Sequence, residues 1–540
     1  MEADSTAVLV VGGSLVGLSS ALFLASRGVP TVVVERHPGS SPHPRAIGFT
    51  PRTLELFRAA GLGERIPQVP PGLRLRRARA ESLAGKWFEE TPWTPEELRA
   101  PELEYSPCRG AALAQDRLEP ILREKALALG ADVRLETQLL RFEQDADGVV
   151  ATLRGRDGQE YELRADYMIA ADGHRSPIRE ALGIGRGGRG HMRTVRSIIF
   201  RAPLQEYLQA GVSQFNLQQP GFEAFLTTYG DGRWLLIFSD DVERDDATLR
   251  AMIHRAIGRD DLEVELVTTG RWEVSALIAD RFASGRVFLA GDSAHTLPPN
   301  RGGYGANTGI EDAHNLAWKL AAVHSGASTP ALLDTYDAER RPIAWLRHQQ
   351  IFARADFKAH AGAGEDAPII DDAAMELGQL YRSAAVLGAD ATLPPAMRPD
   401  QWAGQPGTRA PHAWVDRGDE RVSTLDLFQR SWVLLAEDAR WCSAAALAAE
   451  PWGIALEALR IGTDVRPCDL EAFRKGFGLG AGGATLIRPD GYVAWRSQEL
   501  PEDPLRTLTE ALGRVASAAK PLGGSLTGTR QPAGANTRSA

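Results

Sequence analysis

Apolar positions in this chain come in short unbroken runs near both ends of its first half and in alternating runs between them. Residues 7–11 (AVLVV) are continuously apolar, as expected for a parallel strand buried on both faces. Gly12-Gly13-Ser14-Leu15-Val16-Gly17 follows, then an apolar stretch to about residue 27 that predicts a helix. Residues 31–34 predict a second strand ending at Glu35. Thr50, Pro51 and Gly61 mark the cap, first turn and stop of another helix, and 115–129 reads as helical. Alternation over 133–164, with turns at Asp147-Gly148 and Asp157-Gly158, predicts antiparallel strands. Residues 167–170 then form a strand that delivers Ala171-Asp172-Gly173-His174-Arg175-Ser176.

Residues 66–104 show little periodicity and read as an excursion. From about 194 to 275 alternating strands take over, with a hairpin signal at Gly230-Asp231-Gly232. This predicts a sheet inserted between two halves of a nucleotide domain. Its aromatic residues (Phe215, Phe222, Phe225, Tyr229, Trp234 and Phe238) are expected mainly in core, with some facing substrate. In 286–319 the order is strand (287–290), turn at Gly291-Asp292, Pro/Gly-rich loop, and a helix from about residue 308. There Ile310, Ala313, Ala317 and Leu320 share a face, while Glu311, Asp312 and late Lys319 follow the helix dipole. Further helices are expected over 332–357 and 374–387, strands over 432–435 and 484–488, and a hairpin at Pro489-Asp490-Gly491 into 492–495. The polar tail from 523 is expected to be disordered.

Composition sharpens this picture. With 540 residues, 43% apolar and 24% charged, the chain is a soluble multidomain type. A net charge of −9 argues against a nucleic-acid partner. Cys108, Cys442 and Cys468 form no CxxC pair, so neither a zinc site nor a disulfide framework is expected, and a reducing cytoplasm fits. Residues 7–25 carry no charge, but Glu2, Asp4 and the interrupting glycines argue against a membrane span or signal.

The candidate chemistry lies at the strand ends. Gly12 to Gly17 opens a helix whose first amides suit a pyrophosphate, and Glu35, roughly 20 residues on, can accept from ribose hydroxyls. Ser14 holds the second glycine position of the motif, where its hydroxyl can donate to phosphate. Arg45 sits in a loop from which a guanidinium reaches phosphate.

GGSLVG with Glu35, ADGHRSPIR at 171–179 and GDSAHTLPP at 291–299 together resemble the FAD-dependent aromatic hydroxylases, the group A flavoprotein monooxygenases. The resemblance is strongest to those of the aklavinone-hydroxylase type, which tailor polycyclic polyketides. It implies an α/β fold: a Rossmann-like FAD-binding domain of the p-hydroxybenzoate-hydroxylase type (1–72, 104–190 and 281–395), an inserted antiparallel β-sheet substrate domain (73–103 and 191–280), and a C-terminal thioredoxin-like domain (405–520) without redox cysteines. Residues 521–540 would be a disordered tail.

The resemblance also implies cofactor contacts. Gly12, Ser14, Leu15, Val16 and Gly17 would hold the FAD pyrophosphate, with Glu35 and Arg36 at the adenosine side. Arg45 and Gln115 would lie along the pyrophosphate and ribityl chain, and Asp172-Gly173 would serve FAD and NADPH or NADH alike. Asp292 would meet the ribityl chain, with Pro299 and the backbone of Gly302, Gly303, Gly305, Ala306 and Asn307 beside the isoalloxazine. Asn300-Arg301 makes this loop one residue longer than the common family form, and Arg301 or the loop amides are candidates to stabilise negative charge. His295 is expected to be a structural hydrogen-bonder, and no catalytic acid or base is assigned.

The implied reaction has NAD(P)H reduce FAD, O₂ add at flavin C4a, and one oxygen atom pass from the hydroperoxyflavin to an electron-rich polycyclic aromatic substrate. Baeyer-Villiger or ring-opening oxygenation is the alternative on the same scaffold. A flavin-binding interaction protein without turnover is the alternative of another class. A flavin halogenase is disfavoured because WFEETPW at 87–93 supplies no WxWxIP signature. A monomer or homodimer is expected.

Overall fold

The computed structural model describes residues 4–71, 76–90, 103–208, 211–300, 302–360 and 367–519. Its first sheet runs Ala283–Ser284, Val287–Leu289, Glu160–Ala170, Asp4–Val11, Thr31–Glu35, Asp132–Leu135, and all pairs but the outermost Ala283–Ser284 one are parallel. Leu9 faces Met168 on one side and Val32 on the other. These central residues are fully or almost fully buried, which explains their unbroken apolar runs. Gln138–Gln144 and Val149–Arg154 add the antiparallel strands expected in that region. The apolar run at 7–25 is a strand end plus the Leu15–Ala25 helix, and no described helix is long and apolar enough to cross a membrane.

The second sheet is built around the long pair Arg186–Arg201 and Glu265–Ala279, with Arg233–Phe238, Phe222–Thr228 and Val212–Gln219 beyond. Its first strand begins earlier than the alternation suggested, because Gly188 and Gly190 admit bulges that carry pairing through RGGRG. Part of 66–104 is not an irregular excursion. Arg76–Ala80 lies parallel to Val212–Gln219 and pairs on its other side with Trp87–Glu89, so this short arginine-rich stretch hid the last two strands of the sheet. Phe215, Trp234 and Phe238 are core, as expected.

Two helix boundaries also differ. The helix expected over 374–387 is only Asp372–Leu377. It stops where Gly378 approaches the Met397 carbonyl so closely that a Cβ would lie 1.7 Å from it. Between 332 and 357, a 3₁₀ turn at Pro330–Asp334 precedes a helix at Thr335–Ala353.

The C-terminal sheet runs Leu456–Arg460, Trp432–Ala436, Ala484–Ile487, Val493–Ser497, with the first pair parallel and the others antiparallel. The Ala439–Ala449 and Pro504–Val515 helices pack together beside it, which gives the thioredoxin-like arrangement. All three cysteines are free. The tail from residue 523 lies outside the described residues.

This third module is joined to the first by buried charge. Glu339 Oε1 and Oε2 accept from Arg488 Nη1 and Nη2 at 2.6 and 2.9 Å, and Lys319 Nζ lies 2.8 Å from Oε2, all fully buried. Burial opposes ionisation of Glu339, but Arg488 and Lys319 outweigh it and hold the carboxyl well below the usual range. Nearby, Glu55 is gripped by Arg409 at 2.5 and 2.9 Å and by Arg52 at 3.0 Å.

Glu339→Ala leaves buried Lys319 without a carboxylate and Arg488 with Asp490 alone, so a loss of about 3–5 kcal/mol is expected. Urea unfolding followed by tryptophan emission measures it, and a loss below about 1 kcal/mol would contradict the assignment. The folded carboxyl titrates below its unfolded value of about 4.3. Its stabilisation is therefore fully present above that value and lost as pH falls through the folded one. The gap between wild type and variant should narrow in acid, and narrow again as pH rises toward about 8, where buried Lys319 gives up its proton in the folded wild type.

Candidate functional site

The three loop motifs converge at the carboxyl ends of the first sheet. Gly12, at φ 108°, crosses the second motif so closely that a Cβ would sit 2.2 Å from the Ala171 carbonyl oxygen. Gly17 packs on Gly12 itself, where a Cβ would meet its carbonyl oxygen at 1.7 Å. The third motif closes the arrangement at Val16. A Cβ on Gly291, at φ 64°, would lie 2.8 Å from Val16 Cγ2, and one on Gly309 would lie 2.6 Å from the same methyl. Three separate segments therefore touch through glycines.

The helix that begins at Leu15 has no side-chain cap and no acidic residue in its first turn. Tyr304–His324 shares both features. Among the described α-helices of eight residues or more, only these two do. Their leading amides are left for an anion or a polar cofactor edge. The Tyr304–His324 helix starts earlier than residue 308 because Gly303 caps it in the left-handed region, at φ 61°. Glu311, Asp312 and Lys319 are consequently not dipole-ordered surface charges. They lie inside the helix, buried, each with an opposite charge.

Several expected residues have defined partners. Ser14 Oγ donates to Glu119 Oε1 at 2.7 Å and accepts from Gln115 Nε2 at 3.0 Å, so here its hydroxyl faces a carboxylate. Gln115 Oε1 accepts from the Ala46 amide at 3.3 Å, which fixes the loop that carries Arg45. Glu35 Oε2 accepts from the Gly13 amide at 2.7 Å and Oε1 from the His37 amide at 2.9 Å, with exposed Arg36 between. Arg45 Nη1 lies 3.5 Å from Asp292 Oδ2, bringing the first and third motifs' charged groups together. Asp172 Oδ2 accepts from the Ile178 amide at 3.2 Å, while its buried Oδ1 has no protein partner. Burial raises the Asp172 pKa. Gly173 beside it turns at φ 84°. An orphaned buried oxygen beside uncapped helix amides fits a hydroxyl-rich, phosphorylated cofactor.

The loop of the third motif is internally tied. Asn300 Oδ1 accepts from the Gly302 amide at 2.8 Å, and Asn300 Nδ2 donates to the Pro298 carbonyl at 3.0 Å. Pro299 is exposed, Gly302, Gly305 and Ala306 are half-buried, and Arg301 lies outside the described residues. Asn307 is buried, its Oδ1 accepting from Thr53 Oγ1 at 2.6 Å and the Thr50 amide at 3.1 Å. Its side chain is thus structural.

His295 is structural, as expected, and is anchored by a residue whose role sequence reasoning missed. Its Nε2 lies 2.7 Å from Asp312 Oδ2, which also accepts from the Gly291 amide at 3.2 Å. Arg340 Nε donates to the other oxygen at 2.7 Å. Glu119 was missed as well, although its spacing of four from Gln115 on a helix was a usable signal.

A parallel sheet whose carboxyl ends carry a glycine turn, an uncapped helix and a ribose-type acidic acceptor defines a dinucleotide-binding protein. Residues 5–350 match the FAD binding domain family, and 403–519 match the aromatic-ring hydroxylase C-terminal family. The protein belongs to the FAD-dependent aromatic-ring hydroxylases, which are flavin monooxygenases. It is 41% identical to a 4-methyl-5-nitrocatechol 5-monooxygenase from a Burkholderia species, over 94% of this chain and 97% of that one. It is 39% identical to an aklavinone 12-hydroxylase from Streptomyces purpurascens, over 94% and 98%. The crystal structure of aklavinone-11 hydroxylase with FAD and aklavinone superposes with a TM-score of 0.85 at 38% identity, covering 96% of this chain and all of that one.

Gly309→Ala is expected to push the Tyr304–His324 helix off Val16 and weaken FAD binding about tenfold, that is by about 1.4 kcal/mol. Flavin fluorescence titration of the apoprotein reads this, and Val16→Ala in the same chain should restore part of the affinity. Unchanged affinity in Gly309→Ala would refute the packing argument.

Proposed function

We propose that this enzyme uses NADPH or NADH and O₂ to hydroxylate a polycyclic aromatic substrate of polyketide type. The likeness to aklavinone hydroxylases over nearly the full length of both chains carries this reading. When bound, FAD supplies the redox and oxygen-activating chemistry, and the chain supplies position and dryness. The amides following Gly12, through Ser14, Leu15, Val16 and Gly17, receive the pyrophosphate, and Glu35 receives the adenosine ribose with Arg36 alongside. Arg45 and Gln115 follow the chain of the cofactor, and Asp172, Gly173 and Asp292 take its remaining hydroxyls. Pro299 and the backbone from Gly302 through Asn307 border the flavin ring. Asp172-Gly173 also meets the nicotinamide cofactor.

The substrate-domain reading has a structural support. Ile199, Tyr229 and Leu235 of the second sheet cluster with Ala114 and half-buried Ile47, next to the loop that carries Arg45. Tyr229 Oη donates to the Pro44 carbonyl at 2.7 Å, so this wall is tied to the cofactor side. The cluster is packed core, and it sets the second sheet against the cofactor side. The strands Arg76–Ala80 and Trp87–Glu89, paired onto the second sheet, favour assigning 73–103 with 191–280 to the substrate domain, between the FAD-binding segments 1–72, 104–190 and 281–395, with 405–520 as the third domain. We place the enzyme in the cytoplasm, where the reductant is available.

A single-ring phenol is the second reading, favoured by the similarity to the nitrocatechol monooxygenase. The expected outcome is a yellow protein whose NADPH or NADH oxidation rises about tenfold or more with one class of a panel of hydroxyanthraquinones, naphthacenequinones and nitrocatechols. Oxygen-18 gas should place one labelled atom on a ring carbon of the product. Stimulation by nitrocatechols alone would reverse the substrate assignment, and label between two former ring carbons would replace hydroxylation by Baeyer-Villiger oxygenation.

A further inference from the structure

Away from the nucleotide site, a cavity of about 140 Å³ lies at the seam between the first module and the third. It is lined where the C-terminal ends of the Leu15–Ala25, Pro51–Ala59 and Gln115–Ala128 helices meet Gln429 and Arg430. A water molecule takes ~30 Å³ of liquid volume, so the space suits a small polyatomic ion.

Its lining holds three cations, Arg27, Lys125 and Arg430, and no carboxylate. Arg27 donates only to main-chain carbonyls, those of Phe23 at 3.1 Å, Gln429 at 3.2 Å and Pro489 at 3.3 Å, and its buried Nε has no partner. The carboxylate that acts on Arg27, Asp490, is already bound by Arg488 and by Trp318 Nε1. Lys125 and Arg430 form no ion pair with a described residue. Helix C-termini normally oppose an anion through their free carbonyls. Here the Ser26 amide caps Leu22, the Gly61 and Leu62 amides cap Arg58 and Phe57, and the Gly130 and Ala131 amides cap Leu127 and Ala126.

Gln429 supplies the second, independent sign. Only 6% exposed, it holds a left-handed backbone at φ 85°, a conformation that costs a residue with a side chain; its side chain faces the buried His314 ring, and its buried Oε1 has no partner in hydrogen-bonding geometry. An acceptor among unpaired cations calls for a ligand with both negative charge and an O–H group.

We propose that this cavity binds a small free oxyanion of the monohydrogen-phosphate type, its charged oxygens toward Arg27, Lys125 and Arg430 and its hydroxyl toward Gln429 Oε1. The site would fasten the third module to the helices of the first. Buried His314, also in its lining, belongs to the same Tyr304–His324 helix that borders the proposed flavin position.

The test uses FAD-loaded enzyme, so that the pyrophosphate position is already filled. Inorganic phosphate, compared with chloride at equal ionic strength, should raise Tm by about 2 °C and broaden the phosphorus-31 resonance of free phosphate. Sulfate, which has no hydroxyl at neutral pH, should do markedly less. Lys125→Met/Arg430→Met changes two solvent-reachable side chains, so it should fold, keep basal activity, and lose both phosphate responses. No response in wild type, an equal response in the double variant, or an equal response to sulfate would overturn the proposal.

Discussion

Asp312 is the carboxylate on which the geometry of the third loop motif depends. It is fully buried and receives the Gly291 amide, His295 and Arg340 at once. Burial opposes its ionisation, yet His295 and Arg340 hold its pKa below the usual carboxylate range. Replacing a buried ion pair by apolar groups often costs nothing in stability, so the value of this arrangement is positional. One carboxylate sets the turn that presents Asp292, the strand that follows it and the helix Tyr304–His324 as a single rigid piece. Gly291 and Gly309 then let that piece close on Val16, so charge and close packing fix the same three segments.

The same network reaches the C-terminal module in few steps. Arg340 Nη1 donates to Tyr381 Oη at 2.8 Å, and Tyr381 stacks on Tyr492 with ring centroids 4.1 Å apart. Tyr492 follows the hairpin turn whose Arg488 and Asp490 face Glu339 and Trp318. A thioredoxin-like fold without a cysteine pair has no redox use for its usual active turn. In this protein its hairpin instead supplies part of the charge balance behind the proposed flavin position. This explains why charged residues are found where an apolar interface would be simpler. An apolar seam tolerates sliding, whereas buried bidentate pairs hold one register.

Much of the first module was legible because its physics is local. Unbroken apolar runs, a glycine turn and an acidic strand end are each specified within a few neighbouring residues, and the parallel sheet places them together. The inserted sheet was legible as alternation, though Arg76–Ala80 escaped because a five-residue strand rich in arginine has only Ala78 and Ala80 as its buried apolar face. The ion partners were not legible. Glu311, Asp312 and Lys319 have the order of dipole-friendly surface charges, and nothing within their own helix distinguishes that from burial. Their partners Arg340, Arg347 and Glu339 lie on the next helix of the chain, and such pairing leaves no periodic trace. The start of that helix was misplaced for a related reason. Gly303 caps through backbone conformation alone, without the side-chain signal that Thr50 gives its own helix.

Asn300 in the loop of the third motif can be understood in the same terms. Asn300 binds the carbonyl before it and the amide after it, and its own carbonyl accepts from the Gly303 amide at 3.1 Å. A longer loop ordinarily costs additional ordering entropy. Here the Asn300 side chain ties its own neighbours together, which restricts the described part of the loop. Gly302 completes the device, since a Cβ there would meet Tyr304 Cε1 at 2.7 Å and Asn300 Oδ1 at 3.0 Å. Asn300 and Gly302 therefore set the entry to the following helix, whose uncapped amides lie where the neighbouring motifs converge.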